Sequence, residues 1–217
     1  MSAFIGLEQV WFSWPSGREV LRGVDLTLQR NDTLALMGSN GSGKTTLGKL
    51  IMGLLQPTAG KVCLDGRPVQ EYSLAERGRR VGYVFQNPER QFFAASVADE
   101  IGFALGFRGF SPAEVEERVA ELLAFFELEQ YAQAFPFHLS HGEKQRLALA
   151  AVMALQPEFI ILDEPSTGLD WARKNKLIKA LEGIRERGVG YIIISHDHEF
   201  CRRLCRSAVT LKGGRLT

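Results

Sequence analysis

Cysteine is scarce in this sequence: three in 217 residues, at Cys63, Cys201 and Cys205. An odd, scattered set does not make a disulfide framework, so stability has to come from a packed core. Long apolar runs are also missing. The richest stretch, Leu147 to Leu155, is Ala-rich and about half of the ~18 residues needed to cross a bilayer, so it reads as a buried helix. The N-terminus has no basic segment and meets Glu8 early, so no secretory leader is expected. Cytosolic residence is the expectation, with docking onto a membrane partner left open. No charge of one sign prevails: Lys plus Arg number 26 and Asp plus Glu 25, a net +1. Global attraction to nucleic acid or to anionic lipid is therefore not expected. Internal repeats and low-complexity linkers are absent as well.

What is present is ordinary for a soluble globular protein, 45% hydrophobic and 24% charged, and long enough for one large domain or a domain with an inserted subdomain. Strand patterns run over Phe4–Phe12 and Val20–Leu28, separated by Pro15-Ser16-Gly17. Thr33–Met37 is a short apolar strand that leads through a glycine-rich loop into a helix from about Lys44 to Leu54. Lys61–Leu64 and Val81–Phe85 are further strands. Capping boxes at Ser111-Pro112-Ala113-Glu114 and Ser140-His141-Gly142-Glu143 open two helices, the second stopped by Pro157. Phe159–Leu162 and Tyr191–Ile194 are continuous apolar runs, typical of strands buried on both faces of a parallel sheet, and a helix spans roughly Trp171–Arg187 between them. Strands thus alternate with helices at both ends of a helical block, which predicts an α/β core with a helical insertion. His198, Cys201 and Cys205 share a helix face, a partial metal-ligand set. Without a fourth ligand they read as packed or solvated side chains of a terminal helix.

The strongest chemical signal is Gly38-Ser39-Asn40-Gly41-Ser42-Gly43-Lys44-Thr45, a full match to the phosphate-binding loop, with a strand before it and a helix after it. Glycines let consecutive N–H groups wrap an anion at a helix N-terminus. The candidate nucleotide contacts are Asn40, Gly41, Ser42, Gly43, Lys44, Thr45 and Thr46, with Lys44 on the β- and γ-phosphates and Thr45 on Mg²⁺. Asp163-Glu164 ends a buried strand, where Asp163 suits Mg²⁺ and Glu164 suits a general base on the attacking water. The alternative is a mere acidic turn, which the phosphate loop makes the weaker reading.

Leu139-Ser140-His141-Gly142-Glu143-Lys144-Gln145-Arg146 brings in a family. Nearly the whole chain, about Phe4 to Leu216, resembles the nucleotide-binding domain of ABC transporters, whose signature is Leu-Ser-Gly-Gly-Gln. His141 replaces the first Gly and Glu143 the Gln. The resemblance implies a P-loop NTPase core with a parallel sheet, an N-terminal antiparallel β subdomain and a helical subdomain inserted at approximately 88–157, all within one domain spanning 1–217. It implies that Trp14 stacks on adenine, Gln86 senses Mg²⁺ and water, and His196 contacts the γ-phosphate. It also implies that Ser140, Gly142 and Asp170 act across a dimer interface on ATP held by the other subunit. A lone copy should then bind ATP but hydrolyse it poorly, and the working unit is a head-to-tail dimer, homo- or heteromeric. Two departures fall outside the sites: Asn31-Asp32 stands where Gly-Glu is usual, and Arg206 where Asp is usual. Asn tolerates positive φ, so the first turn is expected to stand.

The run Phe85-Gln86-Asn87-Pro88-Glu89-Arg90-Gln91, followed by Val97–Phe103, is similar to the ATPases of energy-coupling factor importers. Membership there would imply an integral membrane partner, a place on the cytoplasmic face of the membrane, and a vitamin or a metal ion such as cobalt or nickel as cargo. Phe92, Phe93, Phe103 and Phe107 either line a groove for a helix of that partner or form the helical subdomain's own core. Two other functions fit the sequence less well. A soluble ABC ATPase acting on nucleic acid, ribosomes or cluster assembly lacks support from a second cassette, a coiled-coil insertion or a basic tail, and no nucleic acid is expected as a partner. A small-molecule kinase leaves Ser140–Arg146, Asp170 and His196 without a role. The chain stops soon after its last apolar strand, so no C-terminal regulatory domain is expected.

Overall fold

The computed structural model describes residues 3–106 and 108–217. Met1, Ser2 and the groove candidate Phe107 lie outside that range. Two sheets organise the chain. The first is antiparallel and runs β2-β1-β4-β5, from β1 (Ile5–Ser13), β2 (Glu19–Leu28), β4 (Ala59–Leu64) and β5 (Arg67–Pro68). The second runs β10-β9-β3-β8-β7-β6, from β3 (Thr33–Met37), β6 (Val81–Val84), β7 (Phe159–Asp163), β8 (Gly190–Ile194), β9 (Ser207–Lys212) and β10 (Arg215–Leu216). Strands β9, β3, β8, β7 and β6 are parallel neighbours, and only β10 returns antiparallel on β9. The mixed α/β class expected from the sequence is what the chain adopts.

The apolar runs explain the layering. β3, β6, β7 and β8 are buried at every position. Side chains alternate across a strand, so each run feeds two cores. Leu34, Leu36, Ile161 and Ile194 pack with α1 (Lys44–Ile51) and the antiparallel sheet. Ala35, Met37, Ile160, Leu162 and Ile193 face the opposite core. That core is closed by α3 (Val97–Gly106), α4 (Pro112–Phe125), α5 (His141–Ala154), α6 (Trp171–Glu186) and α7 (His198–Leu204). Helices α3, α4 and α5 follow one another between β6 and β7.

Several details differ from the sequence expectation. Helix α1 ends at Ile51, not Leu54, because Gly53 takes φ 66° and stops it. Helix α2 (Leu74–Arg80) was not anticipated. It has a capping box, with the Ser73 N–H donating to Glu76 Oε2 at 2.7 Å, but no buried residue, so no apolar stripe betrays it. β9 and β10 were missed for the same reason, since in β9 only Leu211 is buried. Asn31 is not among the non-glycine residues with positive φ. Its turn is held instead by Asp32, whose Oδ2 accepts the Gln29 N–H at 2.7 Å. Arg206 donates its backbone N–H to Thr33, and nothing explains its side chain. Cys201 packs in the helical core and Cys205 against it. Burial pushes both thiols up to about 12, so they are structural groups at neutral pH.

Candidate functional site

The phosphate loop leaves the C-terminal end of β3 and closes at α1. Gly38 has φ 145°, and a Cβ there would meet the Leu211 carbonyl oxygen at 2.6 Å, so β9 leaves room for nothing larger. Gly43 has φ 107° and sits as close to Val20. These two glycines are therefore required both by backbone sign and by space. Lys44 is buried, and its Nζ donates to the carbonyls of Gly38 at 2.8 Å and Ser39 at 3.1 Å. A cation held inside the loop by its own carbonyls is poised for exchange onto phosphate oxygens.

Asp163 is the last residue of β7 and lies, two residues on from Ile161, on the α1 side of the sheet. Its Oδ1 accepts from the Thr45 hydroxyl at 3.1 Å and its Oδ2 from the Tyr83 hydroxyl at 3.0 Å. Burial pushes the Asp163 carboxyl above its ordinary value, and the two hydroxyl donors offset that in part. Burial and the adjacent carboxylate push the Tyr83 phenol higher still, so it stays a proton donor. Sequence reading missed Tyr83, although it carries the sole side-chain hydrogen-bonding group of a wholly buried strand.

Glu164 takes φ 49°, a left-handed conformation uncommon for this residue type. Its N–H donates to the Ile194 carbonyl at 2.7 Å, which fixes the chain there against β8. Three groups converge on Glu164 Oε2: His196 Nδ1 at 2.9 Å, the Thr167 hydroxyl at 3.3 Å and the Ser195 hydroxyl at 3.4 Å. His196 itself is well exposed, with its side chain at 61%. The next residue, Asp197, is desolvated. Its bonds from Lys174 at 2.6 Å and from the Phe200 N–H at 3.0 Å outweigh that and hold its carboxyl below the usual range.

A cavity of about 530 Å³ joins these groups. Of the sequence candidates, Trp14, Asn40, Gly41, Gly43, Lys44, Thr45, Thr46, Gln86, Asp163, Glu164 and His196 line it, together with Thr167, from the Ser166–Asp170 segment that resembles the family's D-loop, and with Arg18 and Val20, which carried no site signal. Trp14 stands edge-on to Phe12 at 5.0 Å and is 39% exposed. The loop bearing Gln86 is braced by Gln91, which accepts the Phe85 N–H at 2.9 Å and donates to the Tyr83 carbonyl at 3.1 Å. Ser42 lines a neighbouring hollow with Arg18, Arg22 and Lys212.

Ser140, Gly142 and Asp170 are not on the cavity wall. Ser140 caps α5, its N–H donating to Glu143 Oε2 at 2.7 Å. Gly142 is pressed against the Arg173 stem, where a Cβ would come within 2.9 Å. Asp170 caps α6 by accepting the Arg173 N–H at 2.8 Å. His141 turns its ring aside onto the loop after Glu164, with Nε2 3.0 Å from the Thr167 carbonyl. A carbonyl only accepts, so that nitrogen carries the proton. The aromatic candidates divide: Phe92 is buried in the helical core, while Phe93 and Phe103 are exposed and meet edge to face at 4.3 Å.

The chain is similar to known proteins. Residues 21–167 match the family model described as ABC transporter. A putative ABC transporter ATP-binding protein of Pyrococcus horikoshii is 41% identical over 212 residues, 98% of this chain and 81% of that protein. An energy-coupling factor transporter ATP-binding protein, EcfA of Methanothermobacter thermautotrophicus, is 39% identical over 215 residues, 98% of this chain and 69% of that one. Among solved structures, CbiO1 from Clostridium perfringens, part of the ABC transporter complex CbiONQ, superposes with a TM-score of 0.92 at 29% identity, covering 100% of this chain and 88% of that one. An ATP-binding cassette in a dimeric post-hydrolysis state with ADP and phosphate gives a TM-score of 0.88 at 27% identity, covering 98% and 96%.

Proposed function

The chain belongs to the ABC transporter family of ATP-binding proteins, and from that premise we propose that it is the motor of an importer of the energy-coupling factor type. ATPase activity coupled to transport is the family's property and this chain's. The finer reading is a head-to-tail dimer, of two copies or of this chain and a close relative. Docked on an integral membrane partner at the cytoplasmic face, it drives uptake of a vitamin or a transition-metal ion. Among the described residues no helix is long and apolar enough to cross a membrane, so such a partner supplies the path.

The observation that carries the reading is the division of the site. One wall of the cavity holds the phosphate loop, Asp163, Glu164, Gln86 and His196. Ser140, Gly142 and Asp170 lie elsewhere on the same chain. A second copy turned head to tail would bring the latter to the former. Trp14 offers its face to adenine, and the loop amides with Lys44 take the phosphates. Thr45 Oγ1 and Asp163 Oδ1, 3.1 Å apart, are hard oxygen donors of the kind Mg²⁺ takes, and Gln86 completes the set beside them. A Mg²⁺ ion held by these oxygens would supply positive charge to offset that of the β- and γ-phosphates. Glu164 takes a proton from the attacking water, while His196, on the same carboxylate, orients it and reaches the γ-phosphate. Phe93 and Phe103 offer an exposed aromatic step for a helix of the membrane partner.

The test is isolation from native membranes with a tag on this chain. Recovery of an integral membrane protein together with a second ATPase copy, released when Phe93 and Phe103 are changed to Ser, supports the assembly. Recovery of ribosomes or nucleic acid instead would overturn it.

A further inference from the structure

Strand β6 reads Val81-Gly82-Tyr83-Val84 and is wholly buried. A phenol in such a place needs a partner. It finds Asp163 Oδ2 at 3.0 Å, while the other oxygen of that carboxylate takes the Thr45 hydroxyl at 3.1 Å. The two hydroxyls come from opposite sides: Thr45 from the cavity wall, Tyr83 from behind it, where it lines no part of the cavity. The ring is held in place. A Cβ on Gly48 of α1 would meet Tyr83 Cε2 at 3.2 Å, and the Phe85 ring lies 5.0 Å away. Pairing of Tyr83 with Ile161 in the parallel register sets Asp163 two residues further on the same face, within reach of the hydroxyl.

We propose that Tyr83 is a positioning residue for the Mg²⁺ site, its hydroxyl holding one oxygen of Asp163 so that the other faces Thr45 and the metal. The inference rests on the reading of Thr45 and Asp163 as Mg²⁺ contacts. Mg²⁺ demands near-ideal octahedral geometry, so a carboxylate free to rotate binds it less well. Partners that orient a metal-binding group are commonly worth about 10–100-fold in metal affinity.

The experiment compares the affinity for a non-hydrolysable ATP analogue in Mg²⁺ with that in EDTA, by calorimetry. The ratio of the two is the gain due to metal. In Tyr83→Phe the gain is expected to shrink by about 10–100-fold while the affinity in EDTA stays unchanged. A residue of merely structural importance would lower both affinities together. Replacing Tyr83 by p-aminophenylalanine, which returns an N–H donor, should restore most of the gain. If Tyr83→Phe does not fold, p-methylphenylalanine fills the hydroxyl's space without donating, and the same loss is expected. A wild-type gain kept intact in the donor-less variants overturns the role of Tyr83. Absence of any gain in the wild type overturns the Thr45–Asp163 reading instead.

Discussion

The cavity side of this molecule and the start of α5 use the same chemistry to different ends. Both present a helix N-terminus. At α1 three of the six residues of the preceding loop, Gly38 to Gly43, are glycine, its lysine is folded in, and two carboxylates line the same cavity. At α5 the N-terminus is capped by its own Glu143, Gly142 is packed under Arg173, and the cavity of the phosphate loop does not reach either residue. One end lines the cavity of the phosphate loop; the other stands apart from it. The proposed head-to-tail dimer would bring the second region to the first.

The sharpest way to break that comparison is at the carboxylate. Glu164→Gln should lower hydrolysis by about 10²–10⁴-fold while keeping nucleotide affinity, and size-exclusion chromatography with ATP should show a trapped dimer. Undiminished phosphate release would contradict the division of labour. Next comes Ser140→Arg, expected to cut turnover by about 10²–10³-fold with ATP binding to the single chain unaltered. Mixing it with Lys44→Ala should regain activity that neither has alone, because one composite site is then intact. If no activity returns, the two regions do not work in trans. Trp14→Ala tests the adenine side of the cavity and should weaken ATP binding by roughly 0.5–1.5 kcal/mol, measured by titration, with little change in saturated turnover. The smallest effect is expected for His141→Gly. Loss of one exposed hydrogen bond costs about 0.5–1 kcal/mol at most, and hydrogen exchange at 166–170 should quicken while nucleotide affinity stays constant.

Legibility in the sequence followed the same divide. The phosphate loop and Asp163-Glu164 could be read because their chemistry is local: a strand, a few glycines, a helix, and an acidic pair closing an apolar run. Trp14, Gln86 and His196 could be placed only through resemblance, since each is a common residue whose meaning depends on where the sheet carries it. Tyr83 escaped because its partner is 80 residues away and strand register alone brings them together. Arg18 escaped because lining a cavity leaves no periodicity. In the fold, α2 and β9 were lost where amphipathic contrast is weak, and Asn31 was credited with a backbone conformation that Asp32 makes unnecessary.

The left-handed backbone at Glu164 has one more consequence. An L-residue with a side chain held that way gives up about 1–2 kcal/mol, which glycine would not. Glycine there would lack the carboxylate proposed as the general base. On the proposed role of Glu164, heat tolerance and turnover ask for different residues at this one position, and a search for sturdier variants that accepted glycine there would select inactive ones.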